Sequence, residues 1–110
     1  MIEAGEYVRT KNGKIDKVIN NNCYMPQYIE CEKSLLYKED IVNHSKDLVD
    51  LIEVGDIVNG EKILDITGDY IHTNETDHNR FYLAKHIKTI LTKEQMEANC
   101  YTVERKEKWV

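Results

Sequence analysis

Ile2-Glu3-Ala4-Gly5-Glu6-Tyr7-Val8 is answered fifty positions later by Ile52-Glu53-Val54-Gly55-Asp56-Ile57-Val58, and each copy runs through an Asn-Gly pair into a second apolar segment. A Gly-acid turn, a strand, Asn-Gly and a return strand read as a hairpin, because Asn and Gly accept the positive φ that tight turns impose. In the first copy Tyr7-Val8-Arg9-Thr10 precedes Asn12-Gly13, and Lys14 to Ile19 forms the return strand. In the second, Asn59-Gly60 lies directly between Ile57-Val58 and Ile63-Leu64-Asp65-Ile66, which predicts a two-residue turn.

Further on, Thr67-Gly68-Asp69 predicts a third turn before a strand Tyr70–Thr73. Asn74 to Asn79 is wholly polar and reads as an exposed loop, while Arg80 to Ala84 and His86 to Leu91 read as extended. Helix is expected in two places. Thr92-Lys93-Glu94-Gln95 has capping-box spacing, with Asn99 closing a short helix, and Ser45 is placed to cap Lys46 to Leu51. Pro26 interrupts the middle segment, where Tyr28-Ile29-Glu30-Cys31 reads as an edge strand. The fold class this predicts is mainly β (α+β): a small SH3-like barrel or twisted antiparallel sheet of hairpins with one or two short helices. At 110 residues the chain is expected to form a single domain, 1–110, around one core.

Composition narrows the function classes. With 41% apolar and 32% charged residues the chain is that of a globular protein. Its start has no basic or apolar leader, and no run reaches the roughly 18 apolar residues of a membrane span, so no membrane partner and a cytoplasmic location are expected. Three cysteines, Cys23, Cys31 and Cys100, are an odd number at unrelated spacings and read as free thiols. Fifteen Lys and Arg against twenty Asp and Glu give a net charge of −5, which opposes direct binding of nucleic acid.

The chain shows no enzyme's equipment. Two thiolates and two imidazoles, Cys23, Cys31, His72 and His78, form the one donor set suited to zinc, but they lack the close-paired spacing of structural sites, so no metal is expected. Ser34 and Ser45 sit in no nucleophile elbow, and the glycines occur singly rather than in a phosphate-binding loop. The acidic pairs Glu39-Asp40, Asp47 with Asp50, and Glu75 with Asp77 read as solvated runs. No catalytic residue and no cofactor follow.

Aromatic residues point instead to binding. Seven Tyr and one Trp exceed the needs of one small core, and these side chains commonly anchor protein interfaces. Tyr7, Tyr70 and Tyr82 are expected to help fill the barrel. A partner surface is expected at Tyr24, Tyr28 and Tyr37 with the neighbouring acids Glu30 and Glu32, and at Trp109 in the basic segment Arg105 to Val110, which otherwise reads as a frayed end.

Three blocks of the chain resemble a family of small proteins from phages and prophages of low-GC Gram-positive bacteria. They are Gly5-Glu6-Tyr7-Val8-Arg9-Thr10-Lys11-Asn12-Gly13, the segment Ile41 to Gly60 with its Asp47-Leu48-Val49-Asp50-Leu51-Ile52-Glu53-Val54-Gly55-Asp56, and Leu91-Thr92-Lys93-Glu94-Gln95. Some relatives of this kind resemble type II-A anti-CRISPR inhibitors of Cas9. The resemblance implies a non-enzymatic protein, monomer or weak dimer, acting in the host bacterial cytoplasm on a host protein such as a Cas9-type nuclease. The alternative it leaves open is a phage accessory or structural adaptor that binds another phage protein.

Overall fold

The computed structural model describes residues 2–21 and 26–100; Cys23, Tyr24, Trp109 and the basic segment 105–110 lie outside the described residues. Among these, ten strands form two five-stranded antiparallel sheets, so the fold is mainly β. The first holds β1 (Tyr7–Thr10), β2 (Ile15–Asn20), β3 (Tyr28–Cys31), β4 (Leu35–Tyr37) and β5 (Ile41–Ser45). The second holds β6 (Ile57–Val58), β7 (Glu61–Thr67), β8 (Tyr70–Thr73), β9 (Asp77–Asn79) and β10 (Ile90–Leu91). Helix α1 (Arg80–His86) precedes β10 and α2 (Lys93–Asn99) follows it.

Both sheets have one connectivity: four strands meander, and the fifth returns to the open side of the first, giving orders β4-β3-β2-β1-β5 and β9-β8-β7-β6-β10. The repeat reaches individual hydrogen bonds. Gly5 N–H donates to the Val18 carbonyl at 2.8 Å and Gly55 N–H to that of Ile63 at 2.9 Å. Val18 N–H donates to Glu6, and Ile63 N–H to Asp56, both at 2.8 Å. The acid of each turn then reaches back with its side chain, accepting Glu3 N–H at 2.6 Å in one copy and Glu53 N–H at 2.8 Å in the other. The sequence echo is therefore a structural duplication. In each copy the second strand pairs first with one neighbour and then with the other, and breaks register just after that change, between Val18 and Asn20 or between Ile63 and Asp65. A bulge at that point bends the strand and folds the sheet over.

Chain length predicts one core, and the structure divides it. Val8, Val18, Ile29, Cys31 and Leu36 pack together in the first half; Val49, Ile52, Val58, Ile63, Ile71 and Leu83 do so in the second. Each folded sheet has its own inward face and buries it separately. Tyr70 and Tyr82 take no part, being 54% and 57% exposed, while Tyr7 is half-buried. Tyr70 and Tyr82 therefore point outward, which corrects the expectation that these two fill the barrel.

Local chemistry explains the remaining agreements and differences. Asn59 and Gly60, at φ 52° and 83°, make the two-residue turn between β6 and β7. The Thr92 hydroxyl accepts Gln95 N–H at 3.3 Å and caps α2 as its spacing predicts. Arg80 to Ala84 is helical rather than extended, because Asn79 accepts Phe81 N–H at 2.9 Å and Lys85 and His86 favour the last turn. The polar stretch before it is partly strand: Asp77–Asn79 pairs with Tyr70–His72, since an edge ladder is held by backbone and needs no apolar side chains. Tyr28–Cys31 is interior, between β2 and β4, and β4 is the edge. Ser45 ends β5, with its hydroxyl accepting Asp47 N–H at 3.1 Å, and only a 3-10 turn, Leu48–Leu51, follows.

Gly13, at φ 84°, lies against the start of α2, where an added Cβ would meet Thr92 Oγ1 and, at 2.8 Å, Glu94 Cβ. Gly60 has a like φ but open space around it. Urea unfolding should therefore show Gly13→Ala losing about 2–4 kcal/mol and Gly60→Ala about 1 kcal/mol; equal losses would contradict the close approach.

Candidate functional site

Strand alternation builds the outer face of β3 and β4. Ile29, Cys31 and Leu36 point inward, leaving Tyr28 and Glu30 on β3 and Leu35 and Tyr37 on β4 to point outward. The register sets Tyr28 opposite Tyr37 and Glu30 opposite Leu35. The result is a patch of four side chains, with the tyrosine rings 4.5 Å apart and tilted by 43°. Leu35 is 44% and Tyr37 40% exposed. The neighbouring Tyr28, and then partial burial, raise the Tyr37 hydroxyl above the ordinary phenol range, so it stays a hydrogen-bond donor. Beyond β4 no further strand pairs among the described residues, which leaves a free backbone edge beside the patch.

Of the expected partner residues, the structure thus brings Tyr28, Glu30 and Tyr37 together. Glu32 lies past the end of β3, beside a shallow hollow of about 130 Å³ that Tyr7, Asp16, Lys17 and Lys33 also line. Tyr24 and Trp109 are outside the described residues. Leu35 is a member that sequence reading missed, although the outward-inward-outward pattern of Leu35-Leu36-Tyr37 contains it once the strand is known.

Cys31, His72 and His78, the described members of the zinc donor set, are dispersed. Cys31 is a core side chain whose thiol is pushed up to about 11 by burial and then by Asp16, which keeps it protonated. His72 and His78 belong to the other sheet, where Nδ1 of His72 meets Asp77 at 2.9 Å and Nε2 of His78 meets Glu61 at 3.1 Å. Among the described residues no three His, Cys, Asp or Glu groups are placed to hold a metal ion, and no helix is long and apolar enough to cross a membrane.

Between the two halves lies a charged cluster that sequence reading did not find. Arg9 of β1 is fully buried. Its Nη1 donates to Asp56 Oδ2 at 2.6 Å and to the Leu51 carbonyl at 2.8 Å; Nη2 donates to Asp56 Oδ1 at 2.9 Å and Glu94 Oε1 at 2.7 Å. Nε faces Glu53 Oε2 at 3.5 Å without a hydrogen bond. Asp56 also accepts Glu53 N–H at 2.8 Å and Lys93 N–H at 3.0 Å. Burial pushes the Asp56 carboxyl up, but the Arg9 guanidinium and these two N–H groups outweigh it and hold the carboxyl below its ordinary range. With Nη1 and Nη2 engaged at the fork and Nε turned to Glu53, Arg9 is a clasp between halves.

No family model, curated protein or solved structure matches the chain.

Removing one partner of a buried pair strands the other, so Arg9→Met and Asp56→Asn should each cost about 3–5 kcal/mol in urea unfolding; a loss below about 1 kcal/mol would show that the pair is dispensable. Because the folded carboxyl of Asp56 lies below its unfolded value, its contribution is present above about pH 4 and is lost as pH falls through the folded value. Melting temperature against pH should show this acid limb, and Asp56→Asn should flatten it.

Proposed function

We propose that this protein is a stoichiometric binding protein, without turnover, that inhibits a host defence nuclease of the Cas9 type, and that the Tyr28–Tyr37 face is its contact surface. The carrying observation is that face: tyrosines from β3 and β4 in ring contact beside an exposed leucine of β4, which is the edge strand among the described residues. Paired tyrosines bring large apolar area at low entropic cost and hydroxyls for the rim, the properties of an interface anchor. Neither ring serves the core beneath it, which Ile29, Cys31 and Leu36 fill. The choice of partner rests on the resemblance to phage proteins and on charge: a net −5 complements a basic nucleic-acid channel. The setting in this reading is the host bacterial cytoplasm, with the protein acting as a monomer or weak dimer.

Cleavage of target DNA by several Cas9 orthologues, with excess protein present, tests the reading. It should stop at a fixed molar ratio, with the complex visible on gel filtration. Tyr28→Ala with Tyr37→Ala should weaken the complex by about tenfold or more, and reversal of Glu30 and Glu32 to Lys should weaken it less. Uninhibited cleavage by every orthologue, with no complex, would overturn the nuclease partner and favour an adaptor of phage proteins.

A further inference from the structure

We propose that a second surface, the exposed face of α1, binds single-stranded nucleic acid. The inference does not rest on the nuclease reading and uses the other half of the molecule.

Tyr82 and His86 share a face of α1 at four-residue spacing, and His78, on β9 two residues before the helix, brings its ring parallel to that of Tyr82. Their rings form a ladder. Tyr82 and His86 stack at 4.1 Å between centroids and 18° between planes, and Nδ1 of His86 donates to the Tyr82 carbonyl at 2.7 Å, which fixes the imidazole. On the other side His78 is parallel to Tyr82 within 3°, but the centroids are 6.5 Å apart. Tyr82 is thus backed by His86 and not covered by His78. Next to it Phe81, at 68%, is the most exposed large apolar side chain of the described residues. Leu83 alone of α1 is buried in the core, so these rings are not displayed for packing.

Charge selects the occupant. Between His78 and Lys93 the chain contains no Asp or Glu, though the protein as a whole is acidic. Arg80 pairs with Asp50, and Lys93 with Glu53 at 2.9 Å. The nearest acids on β7 and β9, Glu61 and Asp77, pair with His78 and His72. Lys85 and Lys88 have no carboxylate partner among the described residues, and Lys85 follows Phe81 and Tyr82 by four and three positions, on the same helical surface. Flat rings with two uncommitted cations suit unpaired bases and their phosphates, since every base has a face to stack. A duplex hides those faces, and an acidic peptide has no need of the rings. The net −5 keeps the long-range field weak, so binding should be modest and governed by these few contacts.

The test is fluorescence anisotropy of a labelled oligothymidine, about twelve nucleotides long, titrated with the whole protein at about 50 mM and about 200 mM salt. Saturable binding is expected, weakened roughly tenfold by Tyr82→Ala and retained by Tyr82→Phe. Lys85→Gln with Lys88→Gln should flatten the log–log salt slope by about 1.4, the release expected for two phosphates of a single strand. Thermal melts will show whether these surface variants fold as the parent does, and Tyr28→Ala with Tyr37→Ala should leave the titration unchanged. No binding at the lower salt, binding indifferent to Tyr82→Ala, or equal competition by polyglutamate, which would make the face a general anion or acidic-protein contact, would each overturn the proposal.

Discussion

Taking a guanidinium out of water costs several kcal/mol unless carboxylates and carbonyls meet it in fixed positions, and Arg9 is met by four groups, all contributed by the other half. Much of the surrounding structure serves this requirement. The Gly55 turn, at φ 100°, aims Asp56 inward, and the 3-10 turn Leu48–Leu51 delivers the Leu51 carbonyl. Thr92 caps α2 and donates to the Gly13 carbonyl at 2.8 Å, seating the helix so that Glu94 reaches the second guanidinium nitrogen. A well-packed apolar contact of the same size would hold the halves together about as well. What a forked ion pair adds is geometry, since only one placement of the second sheet satisfies both of its arms.

Duplication also shows how one backbone device serves two ends. Glu6 and Asp56 occupy the same place in the same turn and accept the same backbone N–H three residues back. Glu6, itself buried, turns to the half-exposed His44 of its own sheet at 2.9 Å, and the imidazole, with the Glu3 N–H, lowers its carboxyl. Asp56, one methylene shorter, meets an arginine from the other half in full burial. The first turn closes a sheet; the second closes the molecule.

What could be read in the sequence was local. The hairpins at Asn12-Gly13 and Asn59-Gly60, the turn at Gly68 and the Thr92 cap depend on neighbours a few positions away, and they stand where the residues put them. Arg9 was illegible because Tyr-Val-Arg-Thr in a strand looks like one buried and one solvated face; the second half covers that other face, from partners 42, 47 and 85 positions distant. The candidate site was half legible. Composition drew attention to Tyr28 and Tyr37, but the register alone made them neighbours and added Leu35, and the same long-range pairing turned an expected edge strand into an interior one. The expectation for α1 failed for a different reason: Phe-Tyr-Leu favours strand, and a single cap at Asn79 reversed it.

The long spans that hide Arg9 from sequence reading also order events in time. At typical synthesis rates the 47 positions between Arg9 and Asp56 take roughly 2–9 s to make and the 85 to Glu94 roughly 4–17 s, and until each is made β1 exists without that carboxylate. In the nascent chain Arg9 is then a hydrated cation in the middle of an apolar strand. A charge at that place discourages pairing with strands of other chains, the gatekeeping role that natural sequences assign to Lys and Arg beside unavoidable hydrophobic segments. The residue that finally locks the two halves is thus also a charge inside the first half for as long as the second is unmade.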